Sequence, residues 1–143
     1  MMTLFILDSD HVSLLLEGNE VIRRRKQQAS GEVATSIVTV QEVFNGWAGK
    51  INDPLQANQL VWLYTKLWRT TEFFKKVTIL NFTETAQTCH QNLLSENKLL
   101  AKKRLEKDIR IAAIALANDG IMVTRNHKDF SLIPHLRIED WTT

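Results

Sequence analysis

The feature that most constrains this chain is an alternation. Short β-prone runs at Leu4 to Leu7, Val33 to Ser36, Val77 to Leu80 and Ile121 to Thr124, with Leu136 to Ile138 as a weaker fifth, are separated by longer stretches of helical spacing. Strands spaced this way pair in parallel, each intervening helix covering the sheet on its way back. The expected fold is therefore α/β, a parallel sheet of about four to five strands flanked by helices, and 143 residues suit one domain spanning 1–143. Thr39-Val40-Gln41-Glu42 has the form of a capping box opening a helix toward Gly49, and Asp53-Pro54 opens the next. In that next helix Leu60, Tyr64, Leu67 and Phe74, with Val61 and Trp68 alongside, keep the spacing of a core-facing stripe. Thr83 to Asn97 repeats the pattern through Ala86, Cys89, Leu93 and Leu94. Asn118-Asp119-Gly120 closes a helix over Asp108 to Ala117, with the glycine expected in the left-handed region.

Composition narrows the function classes. Hydrophobic residues at 44% and charged residues at 24% belong to an ordinary globular chain, and no apolar run reaches the length of a bilayer span. The start lacks a basic n-region, so a cytoplasmic protein without a membrane is expected. One cysteine, Cys89, cannot close an internal disulfide, and four dispersed histidines lack zinc-type spacing, so any metal should be held by oxygen. The net charge of +2 does not announce a nucleic-acid binder. Two basic clusters, Arg23 to Lys26 and Lys98 to Arg110, are either solvated helix faces or sites for phosphate.

Four acids stand where an open parallel sheet places its ligands, or border that place. Asp8 follows the first strand, Glu42 lies early in the helix after the second, and Asp129 follows Ile121 to Thr124, while Asp108 arrives from a helix whose Ile111, Ala112 and Ala115 should pack on the sheet. Each has a local role open to it. Asp8 or Asp10 can cap a helix, Glu42 can be half of the capping box, Asp108 can be a helix-start charge and Asp129 can close a turn. As a cluster they would need a hard divalent cation, Mg²⁺ or Mn²⁺, because no lysine or arginine motif is evident to neutralise them.

These segments resemble a known family. Leu7-Asp8-Ser9-Asp10-His11 looks like the opening of PIN-domain toxins of the VapC type, and Ser36 to Val43 looks like their second acidic segment. Asp108 to Leu116, Val123 to Phe130 and Ile138 to Trp141 match the family's final third in order and spacing. The resemblance implies a PIN-like domain and a metal-dependent endoribonuclease, with Asp8, Glu42, Asp108 and Asp129 as catalytic and metal-binding acids and with Thr124 and Asn126 lining the pocket. Arg125, His127 and Lys128 flank Asp129 and would grip the RNA backbone. Implied partners are an RNA substrate, a small antitoxin and a second copy of the chain; Trp47, Trp62 and Trp68 are either core residues or part of those surfaces. Two departures from the family pattern stand out. Leu105-Glu106-Lys107 replaces the usual glycine and small hydroxyl residue, which predicts a more helical approach to Asp108, and Asp10 replaces a frequent asparagine, as an N-cap or a fifth pocket charge, with the cap preferred.

Two other readings compete. Asp8-Ser9-Asp10 after an apolar strand also suits a haloacid-dehalogenase-type phosphohydrolase with Asp8 as nucleophile, although the glycine or threonine, lysine and acidic pair of that family are missing. A non-catalytic PIN-like interaction module would have no use for all four acids.

Overall fold

A computed structural model describes residues 2–143. Its five strands are β1 (Leu4–Leu7), β2 (Glu32–Ser36), β3 (Thr78–Leu80), β4 (Ile121–Val123) and β5 (Arg137–Glu139). All pair in parallel in the order β3-β2-β1-β4-β5, as the alternation predicts. From β1 the chain builds outward through β2 and β3, then returns to the other side of β1 for β4 and β5. Neighbouring strands β1 and β4 therefore send their following loops in opposite directions, and the crevice between them is where open α/β sheets bind ligands.

Among the described residues seven α-helices accompany the sheet: α1 (Ser9–Leu16), α2 (Glu20–Gln28), α3 (Ile37–Ile51), α4 (Leu60–Phe74), α5 (Glu84–Glu96), α6 (Glu106–Ala117) and α7 (His127–Phe130). The period of two along β1 divides the core. Ile6 packs with Leu93, Ile111 and Ile114 on one face, while Phe5 and Leu7 pack with Val12, Ile22 and Trp141 on the other. Burying both faces is what makes the central strands β1 and β4 apolar throughout instead of alternating.

Several local expectations change. Ser36, not Thr39, caps α3: its hydroxyl accepts the Thr39 N–H at 3.0 Å, so the helix starts before the proposed capping box and Glu42 falls in its second turn, free of any capping role. Asp53 caps a 3₁₀ segment, Pro54–Gln59, ahead of α4. On α4 the buried stripe is Leu63, Thr70 and Phe74, while Val61 (86% exposed), Tyr64 (54%) and Trp68 (61%) face outward. Residues 60–64 are apolar on more than one side of the helix, and periodicity alone does not choose between the sides. The left-handed residue closing α6 is Asp119 (φ 50°) and not Gly120. Gly120 has a different reason to be glycine, since a Cβ there would lie 2.6 Å from Ile6 Cδ1. The approach to Asp108 is helical, as expected: a 3₁₀ turn at Lys103–Leu105 runs directly into α6.

Candidate active site

Asp8 is fixed from both sides. Its N–H donates to the Val123 carbonyl of β4 at 3.0 Å, and its carboxylate Oδ1 caps α1 by accepting the His11 N–H at 2.8 Å. Asp8, and not Asp10, is thus the N-cap of this helix. Asp10 sits in the first turn of α1, where it pairs with Arg125 and joins the cavity wall. Ser9 turns its hydroxyl onto Glu42 Oε1 at 2.7 Å, tying the start of α1 to the second turn of α3.

Asp8, Ser9, Asp10, Glu42, Asp108 and Asn126, with Arg125 and Phe130, enclose an open cavity of about 350 Å³. Asp108 enters from the first turn of α6. Burial, followed by the negative charges of Glu42, Asp8 and Asp129, pushes its carboxyl up to about 6. The nearby Arg104 guanidinium opposes that rise without cancelling it. Among the described residues Asp8, Glu42 and Asp108 make no ion pair with lysine or arginine, because Arg104 is spent on Asp129 and Arg125 on Asp10.

The remaining expected residues stand around this cavity without lining it. Asp129 lies in the short helix α7, not in a loop. Asn126 Nδ2 holds its Oδ2 at 3.1 Å, and Arg104 straddles both of its oxygens at 3.1 Å, which keeps its carboxyl below the usual range. Thr124 is wholly buried and does not line the pocket; its hydroxyl accepts the Asn126 N–H at 3.0 Å and so shapes the turn that presents Asn126. His127 and Lys128 are exposed beyond the rim. Sequence reasoning missed Ser9, Arg104 and His11. Arg104 was visible only as one charge in a basic run, whereas a histidine three residues after a capping aspartate was a legible signal, since that spacing returns the side chain to the cap.

The donor set fits a hard divalent cation. Of the four carboxylates that line the cavity only Asp10 is paired with an arginine; Asp8, Glu42 and Asp108 are not, and burial together with the neighbouring negative charges raises the Asp108 carboxyl. Among the described residues no three acidic, histidine or cysteine side chains stand close enough together to hold a metal ion by themselves; the carboxylates line the walls without meeting at one point. Water molecules would complete the coordination of an ion there, as Mg²⁺ commonly requires.

Comparison with known proteins agrees with the fold. No protein-family model matches the chain. Ribonuclease VapC2 of Haemophilus influenzae is 28% identical over 139 residues, covering 96% of this chain and 97% of the relative. Among solved structures, VapBC-1 from nontypeable Haemophilus influenzae superposes with a TM-score of 0.79 at 21% identity, covering 99% of this chain and 100% of that one. DNA-bound VapBC from Salmonella typhimurium gives 0.76 at 24% identity, covering 98% and 99%. Sequence likeness along nearly the whole chain and a shared fold make this chain similar to the PIN-domain proteins of the VapC type.

Proposed function

We propose that the chain is a metal-dependent endoribonuclease, the toxin of a toxin–antitoxin pair, whose chemistry is carried by Asp8, Glu42 and Asp108 with Asp129 in support. The observation that carries this reading is the cavity at the β1/β4 switch point, where Asp8, Glu42 and Asp108 face the same space with no lysine or arginine paired to them. A divalent cation held there, Mg²⁺ or Mn²⁺, would supply Lewis acidity toward a phosphodiester and ease deprotonation of the attacking water. The chain's residues do the positioning. Ser9 orients Glu42, the Asn126–Arg104 pair holds Asp129, and ionised Asp108 completes the negative wall. Arg125, half-exposed at the rim, can exchange Asp10 for a substrate phosphate, with Lys128 and His127 beyond it. The same Asp10–Arg125 pair disfavours a phosphohydrolase, which needs Asp10 as a free acid.

A protein partner has surface to use. Val61, Tyr64 and Trp68 form an exposed apolar strip on α4, and a groove lined by Trp47 and Trp62 shares the Glu42 wall with the acidic cavity. An antitoxin laid along this side would close the approach to the site, and a second copy of the chain is the other candidate for the strip. Purified protein incubated with cellular RNA should cleave it with Mg²⁺ or Mn²⁺, stop on chelation, and be inert as Asp8→Asn. Rapid hydrolysis of a small phosphomonoester with RNA left intact would refute the reading.

A further inference from the structure

His11 is wholly buried, and both of its ring nitrogens are engaged. Nδ1 lies 3.0 Å from Asp8 Oδ1, and Nε2 lies 3.2 Å from the backbone nitrogen of Trp141. A backbone N–H can only donate, so Nε2 must offer its lone pair, and in the neutral ring the single proton must then reside on Nδ1. The Trp141 amide thereby fixes the tautomer, and Nδ1–H donates to Asp8. Asp8 Oδ1 already accepts the His11 backbone N–H, so this oxygen takes two donors from one residue. Among the described residues Oδ2 has no hydrogen-bond partner. No buried side-chain polar atom among the described residues is left unpaired, and Asp8 lines the cavity, so Oδ2 is the oxygen that opens onto it.

The segment that supplies the amide is itself anchored. Trp141 packs its ring on Phe5 of β1 at 5.3 Å between centroids, and Asp140 Oδ1, which lies 3.8 Å from His11 Nε2 and so beyond hydrogen-bond reach of it, accepts the Thr142 N–H at 2.8 Å. A residue near the end of the described chain is thus connected to the first carboxylate of the site through one imidazole.

We propose that His11 is a positioning residue: held as the Nδ1–H tautomer by the Trp141 amide, it clamps one oxygen of Asp8 and leaves the other aimed into the cavity for a divalent cation. This rests on the proposed metal site. Carboxylate ligands commonly depend on such outer partners, whose loss typically weakens metal affinity about 10- to 100-fold.

Two measurements on the full chain test it. In protein labelled with ¹⁵N-histidine, His11 should show its proton on Nδ1; a proton on Nε2, the tautomer imidazole prefers in water, would overturn the proposal. Calorimetric titration with Mg²⁺ should give an affinity about 10- to 100-fold weaker for His11→Leu than for the parent. His11→Asn, whose amide reaches Asp8 from about the position of Nδ1, should recover most of the loss. Melting temperatures of the same variants without metal separate folding from positioning, because a merely structural histidine would lower them in both variants and leave Mg²⁺ affinity unchanged. If His11→Leu does not fold, His11→Asn still decides: affinity near the parental value supports the clamp, and a loss as deep as about 10-fold refutes it. A parent that binds no Mg²⁺ and cleaves no RNA would sink the metal site and the clamp together, whereas a parent that binds with variants unaltered would sink the clamp alone.

Discussion

Replacing Asp108 by Asn should make the metal-free protein more stable while removing its response to Mg²⁺. In the folded chain burial and neighbouring carboxylates raise the Asp108 carboxyl from 3.8 to about 6. An acid whose folded pKa lies above its unfolded value binds protons more tightly when folded. Its ionised form therefore destabilises the fold above pH 6, and the penalty fades as pH falls from 6 toward 3.8. Two pKa units correspond to about 3 kcal/mol as an upper bound, and the partial solvent access of Asp108 reduces this to about 1 to 2 kcal/mol at pH 7. Asparagine keeps the shape and removes the charge. For a chain of this size the gain should raise Tm by about 3 to 8 °C in chelator at pH 7, and the difference from the parent should shrink as the buffer is taken from pH 7 to pH 5. In the parent, Mg²⁺ at about ten times Kd should add about 1.4 kcal/mol, and the variant should show little of it. Thermal melts by circular dichroism, with and without metal, read both effects. If Asp108 were only a helix-start charge, the variant would lose about 0.3 to 1 kcal/mol and keep an unaltered magnesium shift, and the account of this site would fail.

Removing Arg104 by Arg104→Ala takes away the cation that lowers both Asp108 and Asp129, so the acidic limb of the RNA cleavage profile should move to higher pH; stability should change by less than about 1 kcal/mol, because the guanidinium is mostly exposed. A limb that stays in place would separate these groups from catalysis. Ser36→Ala removes the buried cap of α3 and should cost about 1 to 2 kcal/mol in urea unfolding, whereas Thr39→Val would be the more damaging change if the capping box were real. Trp68→Ser on the exposed face of α4 should leave the isolated chain's melting within about 0.5 kcal/mol of the parent while weakening its association with a co-expressed antitoxin or with itself, as read by size-exclusion chromatography with light scattering. Unchanged association with both would remove this strip as a partner surface.

The strands were legible because each contains a short β-prone run, most clearly the apolar β1 and β4, and the parallel sheet followed from their spacing. What the sequence blurred were choices between near-equivalent local signals. Ser36 and Thr39 are both good caps three residues apart, and only the end of β2 at Ser36 decides between them. The apolar residues of α4 outnumber its buried positions, so spacing alone puts Tyr64 on the core-facing stripe and leaves Trp68 open between core and surface, whereas both face outward. Asp8, Glu42 and Asp108 could be nominated from position and resemblance. The pairing of Asp129 with Arg104, across 25 residues, and of His11 with Trp141, across 130, could not, because neither contact leaves a local pattern.

The central claim is that Asp8, Glu42 and Asp108 share a divalent cation in the crevice between β1 and β4. Crystals grown with Mn²⁺, with data collected at the manganese absorption edge, test it directly. The account predicts an anomalous peak in that cavity within direct or water-bridged reach of Asp8 and Asp108, absent from crystals of Asp108→Asn. No peak there, or a peak persisting at full strength in the variant, would contradict it.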